Sequence, residues 1–143
     1  MFNRLRRRRG RGQALVEFAL VIPIFLLLIF GLVDLGRAVF ANNSLAEAAR
    51  DGARYGSVQA RSYNAATRAL VEDWTLERLD SVPNATVTVT CVPDNVAASG
   101  CSGGGDDYLV VTAEVDLEMI TPIIGQIVGT LQLDARSEVL VNN

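Results

Sequence analysis

Glu17 interrupts an apolar run near the start of the chain, and it is the carboxylate best placed to do chemistry. From 18 to 33 the sequence reads FALVIPIFLLLIFGLV, without a charged or hydrogen-bonding side chain. An acid near the end of such a helix costs of order 2–3 kcal/mol at a bilayer centre and less near the interface. At headgroup depth Glu17 would be an idle, solvated acid. Its setting offers a second role. Gly12 stands at the junction between an arginine-rich stretch and the apolar helix, and the four residues Gln13-Ala14-Leu15-Val16 separate it from Glu17-Phe18. If a peptidase cut after Gly12, the α-amine of Gln13 would become a cation one helical turn from Glu17. Within one subunit the two charges would partly neutralise each other. In a helical bundle, Glu17 of one chain could meet the amine of a neighbour, where low dielectric strengthens the attraction. Removing the arginines would also discard charge that resists extraction from a bilayer. The pattern reads as a switch from membrane-held precursor to assembly-competent subunit.

Other candidate chemistry is thinner. The chain has no histidine and no lysine, so catalysis would need a carboxylate pair or a serine system lacking its lysine. The acids fall on positions expected to be solvated, so no enzymatic activity, cofactor or metal is expected. Cys91 ends the first expected strand, and Cys101 lies in the Gly-rich loop after it. Outside the cytoplasm their simplest use is a structural disulfide, with free or intermolecular thiols as the alternative. The bond would close a ring of 11 residues, worth about 3 kcal/mol on the loop-entropy model. The spacing is not C-x-x-C, which argues against a redox role. Asp94, Asp106 and Asp107 flank Gly103-Gly104-Gly105. A calcium site there lacks EF-hand or repeat spacing, and a solvated turn explains the acids. Asn42-Asn43-Ser44 and Asn84-Ala85-Thr86 match glycosylation sequons formally, as short motifs do by accident.

These residues depend on elements that hold them. The 143 residues leave room for one small domain beyond a membrane span. The net charge of −3 conceals an asymmetry. Residues 1–12 carry six of the 13 basic residues (Arg4, Arg6, Arg7, Arg8, Arg9, Arg11) and no acid, hence +6. The remainder sets seven basic residues against 16 acidic ones, hence −9. A basic run beside an acidic body could serve as a nucleic-acid arm, but one abutting an apolar span sets membrane orientation. We therefore read 1–12 as a basic leader, 13–34 as a transmembrane helix and 35–143 as an extracytoplasmic domain. About 20 residues at ~1.5 Å each span a bilayer core of roughly 30 Å. A buried core helix, apolar all round, would have nothing to pack against in so small a chain. A cleaved secretory signal lacks a small-x-small site directly after the run, the nearest being Ala46-Glu47-Ala48. Pro23 removes a backbone donor mid-span and should kink the helix.

Beyond Asp34 the pattern turns amphipathic, with Leu35, Ala38, Val39, Leu45, Ala46, Ala49 and Ala53 at helical spacing and Arg50, Asp51 and Arg54 elsewhere. Ala48-Gly52-Gly56 and Ala49-Ala53 recur four apart, a stripe that suits packing on the chain's own sheet or a seam between subunits. Ser44-Leu45-Ala46-Glu47 is a passable capping box, so Asn42-Asn43 could interrupt a helix that ends near Ser57. A second helix is expected over 64–79, burying Ala66, Ala69, Leu70 and Trp74. Pro83-Asn84 marks a turn. Period-two alternation then predicts three strands. In the first, Val87, Val89 and Cys91 face inward. In the second, over 108–119, the inward row is Leu109, Val111, Ala113, Val115, Leu117 and Met119, and the wet row is Thr112, Glu114, Asp116 and Glu118. In the third, over 131–141, Leu131, Leu133, Ala135, Val139 and Val141 face inward, and Arg136 on the wet face could pair across strands with an acid. A short apolar helix over 121–128 separates the last two. The expected fold is α+β: a long N-terminal transmembrane and amphipathic helix, a second helix, and an antiparallel sheet of about three strands covered on one side.

The stretch RGQALVEFALVIPIFLLLIFGLVDLGRAVFANNSLAEAARDGARYGSV resembles the N-terminal region of TadE-like proteins, pseudopilins or minor pilins of the tight-adherence (Flp-type) branch of type IV pili. The Gly12 to Glu17-Phe18 spacing carries the likeness, together with Pro23, Asp34-x-x-Arg37-Ala38 and Ala48-Ala49-Arg50-Asp51-Gly52-Ala53-Arg54. It is strong over roughly 10–58 and general in layout elsewhere. The resemblance implies that Gly12 is the last leader residue, cut by a prepilin peptidase before Gln13, and that Glu17 and Phe18 serve assembly. It implies other pilin or pseudopilin subunits, an inner-membrane pilus assembly platform and a motor ATPase as partners, besides membrane lipid. The arginines place the N-terminus inside the cytoplasmic membrane and the domain outside it. The competing reading is an uncleaved, membrane-anchored module that binds another protein.

Overall fold

The computed structural model describes residues 6–59, 64–92, 107–121, 125–126 and 129–141. Its first helix, α1 (Arg6–Gln59), runs unbroken for 54 residues, about 80 Å at ~1.5 Å per residue. Pro23 sits inside it. The interruption expected at Asn42-Asn43 is absent: both residues are helical and exposed, and Ser44 continues the helix. The buried stripe Ala41, Leu45, Ala48 and Ala49 spans that point without a break. The packing of this stripe overrides the local capping signal.

Helix α2 (Ala65–Glu77) starts at Asn64, whose Oδ1 accepts from the Ala66 and Thr67 N–H groups at 3.0 Å each. Such a cap is worth about 1 kcal/mol. Its buried face differs from the one expected. Ala66, Ala69 and Leu70 are exposed, Trp74 is half-buried, and the inward stripe is Val71, Thr75 and, just past the helix, Leu79. Space on α1 decides this. A Cβ at Gly52 would overlap Thr75 Oγ1, and one at Gly56 would overlap Leu109 Cδ2 and sit 3.4 Å from Val71. The glycines thus admit these side chains, so the small-residue stripe is filled by the chain's own α2 and sheet. Tyr55 stacks on Trp74 with ring centroids 4.4 Å apart, Arg78 lies 3.3 Å over the Trp74 ring, and Asp51 pairs with Arg78 at 3.5 Å.

Asn84, at φ +62°, turns the chain into the sheet, a conformation asparagine tolerates better than most residues. Strands β1 (Thr86–Val92), β2 (Asp107–Leu117) and β3 (Leu131–Val141) form an antiparallel meander in that order. Val89 pairs with Val111, Ala113 with Ala135 and Leu117 with Leu131. The inward rows match those expected, and α1 and α2 cover that face. Glu72 on α2 accepts from the Val89 N–H at 3.1 Å, which occupies a donor on edge strand β1. Among the described residues Arg136 makes no ion pair across strands. Register puts Thr112 opposite it, and its guanidinium instead meets Glu138, two residues along the same face, at 2.6 Å. The helix expected over 121–128 lies largely outside the described residues. Gly125 and Gln126 are helical, and the Gly125 N–H donates to the Thr121 carbonyl at 2.8 Å.

Candidate assembly site

The first half of α1 stands away from the folded domain. Its apolar window is long enough to cross a membrane, and none of it is buried within the chain. On this stretch Gly12, Gln13, Glu17 and Phe18 are all exposed. Gln13 and Glu17 are four residues apart and so share one helical face, one turn from each other. Glu17 forms no ion pair among the described residues. A Cβ added to Gly12 would touch nothing within 4 Å. The helix thus presents Gly12, Gln13 and Glu17 together on a bare rod, with Phe18 beside them.

A second acid, at the other end of the run, is held very differently. Asp34 is 6% exposed and belongs to the folded domain, outside the apolar run that ends at Val33. Its Oδ1 accepts from the Ile120 N–H at 2.9 Å, and its Oδ2 from the Thr121 N–H at 2.9 Å and the Thr121 hydroxyl at 2.6 Å. Arg37, one turn on, lies 3.6 Å from Oδ1 and donates to the Glu118 carbonyl at 3.2 Å. The Thr121 hydroxyl, then the Ile120 and Thr121 amides, with the Arg37 charge, hold the carboxyl below its ordinary value of 3.8 against the opposing effect of burial. This latch explains why β2 stops at Leu117 rather than Met119: the next backbone groups turn to serve Asp34 and Arg37. In the sequence Asp34-x-x-Arg37 is visible only as part of the resemblance, and its partners are not. The isolated acid and base at one-turn spacing, just past an apolar run, were the available signal.

Of the remaining candidates, Cys91 is half-buried on β1, and Cys101 lies outside the described residues. Asp107 is buried at the start of β2, opposite Val141, and its Oδ2 has no partner among the described residues. Asp94 and Asp106 lie outside the described residues.

Residues 12–54 match the family model described as TadE-like protein. The matched stretch, under a third of the chain, is similar to that family. It starts at Gly12, contains Glu17, Pro23 and the Asp34–Arg37 pair, and ends within the buried stripe that packs on α2 and the sheet. No curated protein and no solved structure matches the chain.

Proposed function

We propose that the chain is a pilin-like structural subunit, a TadE-like pseudopilin that takes part in assembling a Flp/tight-adherence type IV pilus. The apolar run that ends at Val33 holds it in the cytoplasmic membrane, with the arginines inside and the α+β domain, Asp34 included, outside. Prepilin peptidase cuts between Gly12 and Gln13. Glu17 and Phe18 then enter helix packing with other pilin or pseudopilin subunits at an inner-membrane assembly platform, and a bend at Pro23 adjusts that packing. A disulfide between Cys91 and Cys101 ties the loop after β1.

One observation carries this reading. The apolar half of α1 is wholly exposed, while the other half of the same TadE-like segment forms a wall of the domain's core. A helix apolar all round needs an apolar host, and a bilayer and a bundle of like helices are the two hosts available in turn. The test is the N-terminus of the protein recovered from cells. Intact mass and N-terminal sequencing are expected to find a chain starting at Gln13. A stable chain that keeps its arginines would remove the switch and leave the uncleaved, anchored binding module.

A further inference from the structure

Leu35 and Val39, expected on the buried face of α1, are exposed, as is Phe40. The domain-facing side at this level is taken by Asp34, Ala38 and Ala41. The outward side of the helix therefore remains apolar beyond Val33, and it turns polar only at Asn42 and Asn43, both exposed. Counted to Phe40, this side runs 23 residues from Phe18, about 34 Å at ~1.5 Å per residue. With Ala14, Leu15 and Val16 included, the run to Val33 already covers about 30 Å, the depth of a bilayer core, so the turns to Phe40 carry this side about 10 Å further, into the interfacial layer.

Ile120 belongs to the same level. Its N–H is 2.9 Å from the Asp34 carboxylate, so it lies beside the last apolar turn of α1, yet its side chain is 53% exposed. The latch neutralises Asp34 at this level, while the Arg37 side chain, 40% exposed, and exposed Glu118 suit the polar side of an interfacial layer rather than its acyl core. Asp34 spends its charge on three donors from the β2–β3 connection, and Arg37 is engaged by Asp34 and the Glu118 carbonyl. Nearby, Glu114 and Asp134 sit opposite each other on the outer face of the sheet, beside Asp116. These acids would repel an anionic surface, so attraction to one cannot supply the contact.

We infer that Leu35, Val39 and Phe40 on α1, with Ile120 on the β2–β3 connection, form a collar that seats the domain in the interfacial layer of the bilayer while the subunit is membrane-held. The collar rests on the membrane-anchored reading above. Its occupant is the lipid at the boundary of headgroup and acyl chain, because the collar continues the apolar run and ends where α1 turns polar. The Asp34 latch sets its depth by fixing Ile120 against the helix.

The test uses the full chain in phosphatidylcholine vesicles, with single tryptophans added at Leu26→Trp, Val39→Trp, Ile120→Trp and Thr90→Trp. Native Trp74 stays in place as the baseline. Val39 and Ile120 are exposed, so either tryptophan adds bulk outside the core. Lipids brominated high on the acyl chain are expected to quench the added emission at 39 and 120, with a blue shift, and to leave that at 90 unchanged. Quenching at 26 with none at 39 and 120 overturns the collar and leaves the span standing. Loss of quenching at all of these positions overturns the membrane-anchored reading and the collar with it. A blue shift at 39 and 120 that grows with protein density and resists bromolipid assigns the surface to a second copy and overturns the lipid assignment.

Discussion

Glu17 and Asp34 stand at opposite ends of the apolar run in opposite circumstances. Glu17 is exposed on a bare helix, whereas the Asp34 carboxylate is surrounded by three donors and a guanidinium. Because folding lowers the Asp34 pKa, its stabilising contribution is present above 3.8 and is lost as pH falls from there through the lower folded value. Asp34→Asn should therefore lower the denaturant midpoint at neutral pH and flatten the stability loss in that acidic window. Trp74 emission in detergent micelles reads both effects. An unchanged acid limb in the variant would show that Asp34 does not contribute there. This latch was illegible in the sequence because its partners lie 86 and 87 residues away, and no periodicity links them. Gly12, Gln13 and Glu17 were legible because their relation is a local spacing.

Between α1 and α2 the contact depends on two absent side chains. Gly52 faces the whole end of Thr75, whose Oγ1 is fixed by donating to the Val71 carbonyl at 2.7 Å, while Gly56 faces chiefly the tip of Leu109. A methyl at Gly52 must displace a stiff, β-branched residue, whereas the Leu109 tip can rotate away. Gly52→Ala should cost about 1–3 kcal/mol through overpacking. Gly56→Ala should cost less, because the helical gain of roughly 0.5–1 kcal/mol offsets a clash that the end of a longer side chain relieves by rotating. Thr75→Ala should restore part of the loss in the Gly52→Ala background, and a double-mutant cycle of denaturant midpoints measures that coupling. Equal costs at the two glycines would refute this account. The small-residue spacing was visible beforehand, but which partner filled it was not. The buried face of α2 was misjudged for the same reason: Val71 and Thr75 are chosen by the two notches in α1, and the apolarity of Leu70 does not decide its placement.

Across the whole molecule, the order of elements and the inward face of each strand were readable, because alternation over up to 11 residues leaves little ambiguity. The turn after β2 and the continuity of α1 through Asn42-Asn43 needed tertiary contacts. The role proposed for Glu17 belongs to this scale, since its partner would lie in another subunit. Glu17→Ala should leave the chain in the membrane fraction and reduce its recovery in sheared surface filaments, with both fractions followed by immunoblot. Wild-type piliation in that variant would count against the assembly role. The unbroken α1 has a mechanical consequence. One rod forms both the apolar run and a wall of the domain's core, and it has no hinge near Asn42 to absorb displacement. Axial load on the domain would therefore pass into the apolar run without slack at Asn42, leaving Pro23 as the point in α1 where a bend could take it up.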